Sequence, residues 1–348
     1  MNFTAIGLMS GTSLDGLDIC LATFNKEDSR WRYQILHAET VAYPPEWERK
    51  LRNATEISST GLLALNAEYG FYLGEQADRF IKKYSVQGLD LIASHGHTVF
   101  HQPERKFTLQ IGDGRAIKIS TGIPTVYDFR SQDVLMGGNG APLVPIGDQL
   151  LFSGYGACLN IGGFANISFS ENNKRRAFDI CPVNFVLNKF ARQLGKNYDE
   201  DGQIAENGII NITILSALNQ LAYYQLSPPK SLGSEWVEDH MNALLKNETT
   251  ENIIATFTEH TAVQISNVIK NHRLKTVLVT GGGAYNKYLI KRIKALSDAE
   301  IIIPETGLIE FKEALIFAFM GVLKMKGEIN ILCSATGSPA NHSAGTLV

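Results

Sequence analysis

Cysteine is scarce and unpaired in this chain. The four thiols, Cys20, Cys158, Cys181 and Cys333, stand singly and form no C-x-x-C pair. That spacing suits reduced thiols in a cytoplasmic protein better than a disulfide framework or a cysteine zinc site. No apolar run approaches the roughly 20 residues of a membrane-spanning helix. No basic segment followed by an apolar one marks a secretory leader. Charge of one sign is also missing. Lys and Arg number 32 against 35 Asp and Glu, a formal net charge of -3, so neither nucleic acid nor an anionic membrane is an expected partner. Two nucleotide fingerprints are absent as well: no stretch reads G-x-x-x-x-G-K-[ST], and none reads G-x-G-x-x-G.

What is present is a globular composition, 44% hydrophobic and 19% charged over 348 residues, long enough for two α/β domains. Three β-type runs open the chain, over residues 3–9, 17–24 and 32–42, and Pro44-Pro45 ends the third. Residues 46–84 carry apolar positions at helical spacing. Short strands are predicted over 89–93, 107–111 and 124–128, each running into polar residues, which is where open α/β sheets hold ligands. After the glycine- and proline-rich stretch 137–142 the design starts again. A strand over 157–161, a Gly162-Gly163 turn and a strand over 167–169 precede a helical pattern over 183–194. A strand over 276–280 then runs into Gly281-Gly282-Gly283, with a helix from Tyr285 and a last one over 311–326. The repeat predicts domains of residues 1–148 and 149–348 with a cleft between them, the last helix packing back on the first domain.

Several stretches carry candidate chemistry, each with a plain structural alternative. Ser10-Gly11-Thr12-Ser13-Leu14-Asp15-Gly16-Leu17-Asp18 reads as a hairpin turn around Asp-Gly, or as a backbone cradle for phosphate with hydroxyl donors. In the second reading Asp15 faces Mg²⁺, directly or through water. Gly162-Gly163, with Asn166 beyond, is a tight turn or a second cradle. Gly281-Gly282-Gly283 is a strand-to-helix turn or a close approach to an anion. Asp179 is a helix cap or a general base. Ser94-His95-Gly96-His97 suits a loop lining a pocket better than a metal site, because i, i+2 histidines face opposite ways on a strand. Arg130 and Asp133 are a local ion pair or a carboxylate-binding loop.

Together these stretches resemble the anhydro-N-acetylmuramic acid kinases, members of the superfamily of sugar kinases, hsp70 and actin. The resemblance runs through residues 7–16, 95–101, 109–114, 128–133, 140–145, 159–167, Pro228-Pro229-Lys230-Ser231 and 281–284. It implies a two-domain actin-like ATPase fold and an enzyme using ATP and Mg²⁺. Such enzymes hydrolyse the 1,6-anhydro bridge of 1,6-anhydro-N-acetylmuramic acid and phosphorylate O6 during peptidoglycan recycling. On this chain it implies phosphate contacts from residues 10–18 and Gly162-Gly163, and a nucleoside near Gly281-Gly282-Gly283. Asp179 would be the base that activates water. His95, Gly96, His97, Gln110, Asp113, Arg130 and Asn184 would meet the sugar, and a homodimer is expected. Two departures bear on the substrate. Asp179 is followed by Ile180-Cys181-Pro182-Val183-Asn184 where the family reads T-G-P-G-N, and His97 stands where the family has Gln. Two rivals therefore stand beside the first reading: a sugar or amino-sugar kinase of the same fold with another substrate, and a nucleotide-binding regulator without turnover.

Overall fold

The structure, a computed structural model, describes residues 2–11, 14–28 and 30–348. The chain divides into two units, Met1–Leu151 together with Phe311–Val348, and Phe152–Glu310. The predicted boundary after residue 148 differs from this division. The segment from Phe311 onward belongs with the first unit, so the second is an insertion within it.

In the first unit β1 (Asn2–Ser10) is buried from Ala5 to Gly7 without alternation, the pattern of a strand covered on both faces. It pairs antiparallel with β2 (Leu17–Glu27), which pairs antiparallel with β3 (Arg30–Val41). On its other side β1 pairs parallel with β4 (Leu91–Ser94). A separate two-stranded ribbon joins β5 (His97–Gln102) and β6 (Phe107–Ile111), and β7 (Thr125–Tyr127) extends the main sheet in parallel beside β4. The predicted helix over 46–84 is two, Pro45–Arg52 and Ser59–Lys83. The second starts afresh because the Ser58 hydroxyl accepts the Gly61 amide as its cap. Its buried face, Leu65, Tyr69, Tyr72, Leu73 and Phe80, keeps the three-to-four spacing of an amphipathic helix and closes this unit's core with Ile6, Leu8, Ile19 and Ile92.

The second unit repeats the plan. β8 (Ala157–Ile161), β9 (Phe164–Glu171) and β10 (Lys174–Pro182) are successive antiparallel strands. Beside β8 lie β11 (Thr276–Thr280) and β12 (Glu300–Ile302), both parallel. The first five strands of each main sheet thus run in the order third, second, first, fourth, fifth, and each unit opens on a hairpin. A 22-residue helix, Thr250–Asn271, packs against this sheet and is buried along most of its length. The helix Thr306–Met325 leaves helical geometry at Phe311 (φ -109°, ψ 15°). Beyond it β13 (Thr346–Leu347) pairs antiparallel with β7. These are the mixed α/β units that the resemblance implied. No described helix is long and apolar enough to cross a membrane.

Candidate active site

In the first unit the β1–β2 connection spans residues 11–16. Thr12 and Ser13, both expected at phosphate, lie outside the described residues. Ser10, at the end of β1, is engaged by side chains of its own unit. Its hydroxyl takes a hydrogen bond from the Tyr43 hydroxyl at 2.8 Å and lies 3.0 Å from His97 Nδ1, while Tyr43 and Tyr69 hydroxyls meet at 2.6 Å. With Tyr43 donating to Ser10, the Ser10 hydroxyl still has its own proton and a second lone pair to offer Nδ1, so this contact serves either neutral tautomer of His97. Gly11 and Leu14 close the near side of the turn, the Leu14 amide reaching Gly11 O at 3.4 Å. Asp15 is exposed. Gly16 lies tight on β3, where a Cβ would meet Val41 O at 2.7 Å. Leu17 is a fully buried core residue, so only its backbone could serve a ligand. Asp18 accepts the Thr40 hydroxyl at 2.6 Å.

His95 and Arg130 form a second cluster. Arg130 Nε donates to His95 Nε2 at 2.9 Å, and His95 Nδ1 donates to Gly96 O at 2.9 Å, a neutral tautomer. Arg130 Nη1 donates to Gly140 O, and the Gly140 amide donates to Asp133. Arg130 and Asp133 are therefore joined through the backbone of one residue, Gly140, and not as the ion pair the sequence allowed. Asp133 is sealed and also takes the Thr336 hydroxyl at 2.8 Å. Gln110 donates to the Thr108 hydroxyl. Asp113 caps the helix Gly114–Thr121 and is paired with Arg115, so its carboxylate is engaged structurally, and that pairing holds it below the usual range.

Sequence reasoning missed Glu313. It lies on the helix Thr306–Met325, where burial pushes its carboxyl up while Arg130 and Lys312 oppose the rise. The signal was present: Lys312-Glu313 stands directly before an unbroken apolar run from Ala314 to Met320. Lys312 itself pairs with the buried Asp148 at 2.7 Å.

Burial holds three histidines neutral: His95 well below 6.5, His97 at about 4 and, in the second unit, His260 at about 3. Each imidazole takes up its proton in the unfolded chain first. Stability is therefore expected to fall as pH drops below about 6.5, by about 1.4 kcal/mol per pH unit for each such histidine until its folded pKa is reached. Urea midpoints compared at pH 7 and pH 5 check this, and a flat profile rejects it. The His97→Gln variant should show a shallower slope.

In the second unit the strand register sets four polar residues abreast, Thr280, Asn160, Asn166 and Asp179, across β11, β8, β9 and β10. Directly opposed residues share a face, so Asn160, Asn166 and Asp179 project from the same side. Asp179 is on a strand; the helix after it, Asn184–Gln193, has Val183 at its cap position and no side-chain cap. The capping alternative is thus excluded. The Leu232 amide donates to Asp179 Oδ2 at 2.9 Å. Burial raises the Asp179 carboxyl above its ordinary value, against that bond.

The Gly162-Gly163 turn points its carbonyls at the amides of Asn184 and of Val183 and Phe185, tying the hairpin to the start of that helix. Gly281 has φ +82°, and a Cβ there would meet Asn160 Oδ1 at 2.5 Å; one on Gly283 would meet Ile161 Cγ2 at 2.2 Å. Both glycines are needed to pack the turn on β8. Gly282 is exposed instead. It lines a concavity of about 440 Å³ with Asn184, Leu187, Tyr198, Asp201 and Tyr285. Asn184, expected with the sugar, is here beside the expected nucleoside residue. Tyr198, Asp201 and Tyr285 were not anticipated, because isolated residues on irregular segments carry no periodic signal.

The departures from the family pattern lie away from solvent. Ile180, Cys181 and Val183 are core residues of the second unit, and His97 is 4% exposed with Ser10 as its partner. Among the described residues no three His, Cys, Asp or Glu side chains converge on one point. The exposed Asp15 suits Mg²⁺ held by one carboxylate, water and phosphate oxygens, and does not suit a protein-caged metal.

The chain matches the family model for anhydro-N-acetylmuramic acid kinase over residues 3–348. Curated proteins of that name are its relatives. One from Pseudomonas fluorescens is 35% identical, with 98% of each chain covered. Another from Mannheimia succiniciproducens is 34% identical, again with 98% of each covered. A third from Francisella tularensis subsp. novicida is 32% identical, covering 98% of this chain and 97% of the relative. Over nearly its whole length, then, the chain belongs to the anhydro-N-acetylmuramic acid kinase family.

Proposed function

We propose that this chain is an ATP-dependent kinase of 1,6-anhydro-N-acetylmuramic acid, yielding N-acetylmuramic acid 6-phosphate. Water adds to the anomeric carbon and the bond from that carbon to the bridging oxygen breaks. The freed O6 takes the γ-phosphoryl group of ATP, and ADP leaves. The observation that carries the reading is Asp179, with Oδ2 held by the Leu232 amide and a carboxyl raised by burial. Asp179 takes the proton that the attacking water loses. A base with raised pKa predicts an acid limb in the rate profile: turnover falls as pH drops through a value above the ordinary carboxylate range.

The chain's other residues position and neutralise. Backbone amides of residues 10–18 and of the Gly162-Gly163 turn, with Asn166, are assigned to the phosphates, and Gly281-Gly282-Gly283 with Asn184 and Tyr285 to the nucleoside. His95, Gly96, Arg130 and Gln110 are assigned to the sugar. Asp15 would hold Mg²⁺, which when bound supplies charge neutralisation at the phosphates. The burial of Ile180, Cys181, Val183 and His97 removes the reason for preferring a different amino sugar. A cytoplasmic homodimer completes the proposal.

The decisive experiment incubates the protein with the anhydro sugar, ATP and Mg²⁺ in ¹⁸O-water and analyses the product by mass spectrometry. The expected product carries the label at the anomeric oxygen and the phosphate on O6. Phosphorylation of plain hexosamines with no product from the anhydro sugar would reject the reading.

A further inference from the structure

The Pro228-Pro229-Lys230-Ser231 segment has so far had no role, yet it lies against Asp179. The Asp179 amide donates to Lys230 O at 3.3 Å, and the Tyr223 hydroxyl donates to Asp179 O at 2.7 Å. The Leu232 amide takes Oδ2. Three bonds to one residue therefore come from one stretch of chain. That stretch is closed on itself: Lys230 Nζ donates to Tyr223 O at 3.2 Å and stands 4.6 Å from the centre of the Tyr223 ring. Tyr223 is 5% exposed. Ordinary strand pairing cannot supply these contacts. Among the described strands β10 pairs only with β9, and its register shifts between Asp179 and Cys181, so the carboxylate stands at an edge strand beside an irregularity.

We propose that Tyr223–Leu232 is a strap that positions Asp179, fixing Oδ2 and leaving Oδ1 to the reacting water. The proposal rests on the reading of Asp179 as the base. Tyr223 and Lys230 are its positioning residues, acting through Asp179 without touching substrate. A carboxylate with one oxygen held by a backbone amide keeps its orientation and leaves the other oxygen to accept from water, which is what near-attack geometry requires. The titratable groups whose charge reaches Asp179 are Cys181 on its own strand and Tyr223 on the strap, while Lys230 meets it through the backbone carbonyl and turns its ammonium to the Tyr223 ring. From β9 the neighbour is the uncharged Asn166. Thr261 of the helix Thr250–Asn271, also uncharged, reaches Cys181.

The test compares Tyr223→Phe, which keeps the ring and removes one hydroxyl, with Leu232→Pro, which removes the amide donor. Steady-state kinetics and a ¹³C titration of the aspartate carboxyls are recorded for each, with Asp179→Asn identifying the Asp179 signal. Tyr223→Phe should lower kcat about tenfold, the equivalent of one hydrogen bond, with KM for ATP unchanged. Both variants should move the Asp179 titration and the acid limb of kcat upward together, because the amide bond that lowers the carboxyl is weakened or lost. Wild-type kcat in Tyr223→Phe overturns the strap, as does a lower kcat with an unmoved titration. If Leu232→Pro fails to fold, Tyr223→Phe alone decides. Should Asp179→Asn turn over normally, the base assignment fails; if that variant is dead while Tyr223→Phe is unaffected, only the strap fails.

Discussion

Asp179→Asn is expected to lower kcat about a thousandfold, within the range a general base contributes, with ATP binding near that of the parent. The substitution is nearly isosteric, and an asparagine carbonyl oxygen can still accept the Leu232 amide that now reaches Oδ2. What it cannot do is take a proton from water. The position lies on β10, paired with Asn166, whereas the glycines beside the nucleoside concavity follow β11. Loss of the carboxylate should therefore leave calorimetric ATP titration unchanged while product formation collapses. A variant working within about threefold of the parent would remove Asp179 from the mechanism. A variant that loses ATP binding as well would show that the carboxylate serves the nucleotide and not the water.

The largest expected effect on stability is at Gly7, a residue with no proposed ligand contact of its own. A Cβ on Gly7 would sit 1.8 Å from Ala314 O and 2.9 Å from Ala318 N. Both are backbone atoms of the helix Thr306–Met325, so no side-chain rotation relieves the clash. The strand cannot yield either, since Gly7 pairs with Cys20 on one side and Ala93 on the other. Gly7→Ala should destabilise the first unit by about 3 kcal/mol or more, the upper end for overpacking. It should also lower activity, because the same helix carries Phe317, whose ring packs at 4.7 Å on that of His95, a residue assigned to the sugar. Urea unfolding gives the first quantity and steady-state kinetics the second. An unchanged midpoint would mean that the helix can withdraw from β1 at little cost.

Much of the framework was legible because it is built from short apolar runs with clear stops. The strands at 107–111, 157–161 and 276–280 coincide with β6, β8 and β11. The opening hairpin was visible because Gly and Asp punctuate two apolar runs. β5 was missed: His95-Gly96-His97 reads as loop, and only pairing with β6 makes a strand of residues 97–102. β10 was missed for a related reason. Lys174-Arg175-Arg176 looks like a surface turn, but Arg175 is buried with its guanidinium on Ser168. Placing Asp179 at a helix start followed from that error.

The site was legible in residue type and less so in role. Ser10, His97, Arg130 and Asp113 have the chemistry expected of them, yet in the fold each is engaged by a neighbour. The departures after Asp179 read as changes to the sugar loop, whereas the fold uses Ile180, Cys181 and Val183 as core. Motif positions show which residues belong together; side-chain direction follows only once the strand pairing is known.

The division of the chain has a consequence for biosynthesis. Residues 152–310 leave the ribosome before Phe311–Val348, at about 5–20 residues per second. The second unit can complete its sheet while the first still lacks the helix against Gly7 and the strand paired with β7. During that interval the nascent chain carries an unfinished half, with the edge of β7 open to other strands, so chaperone contact should concentrate on residues 1–151 and end when the last segment emerges.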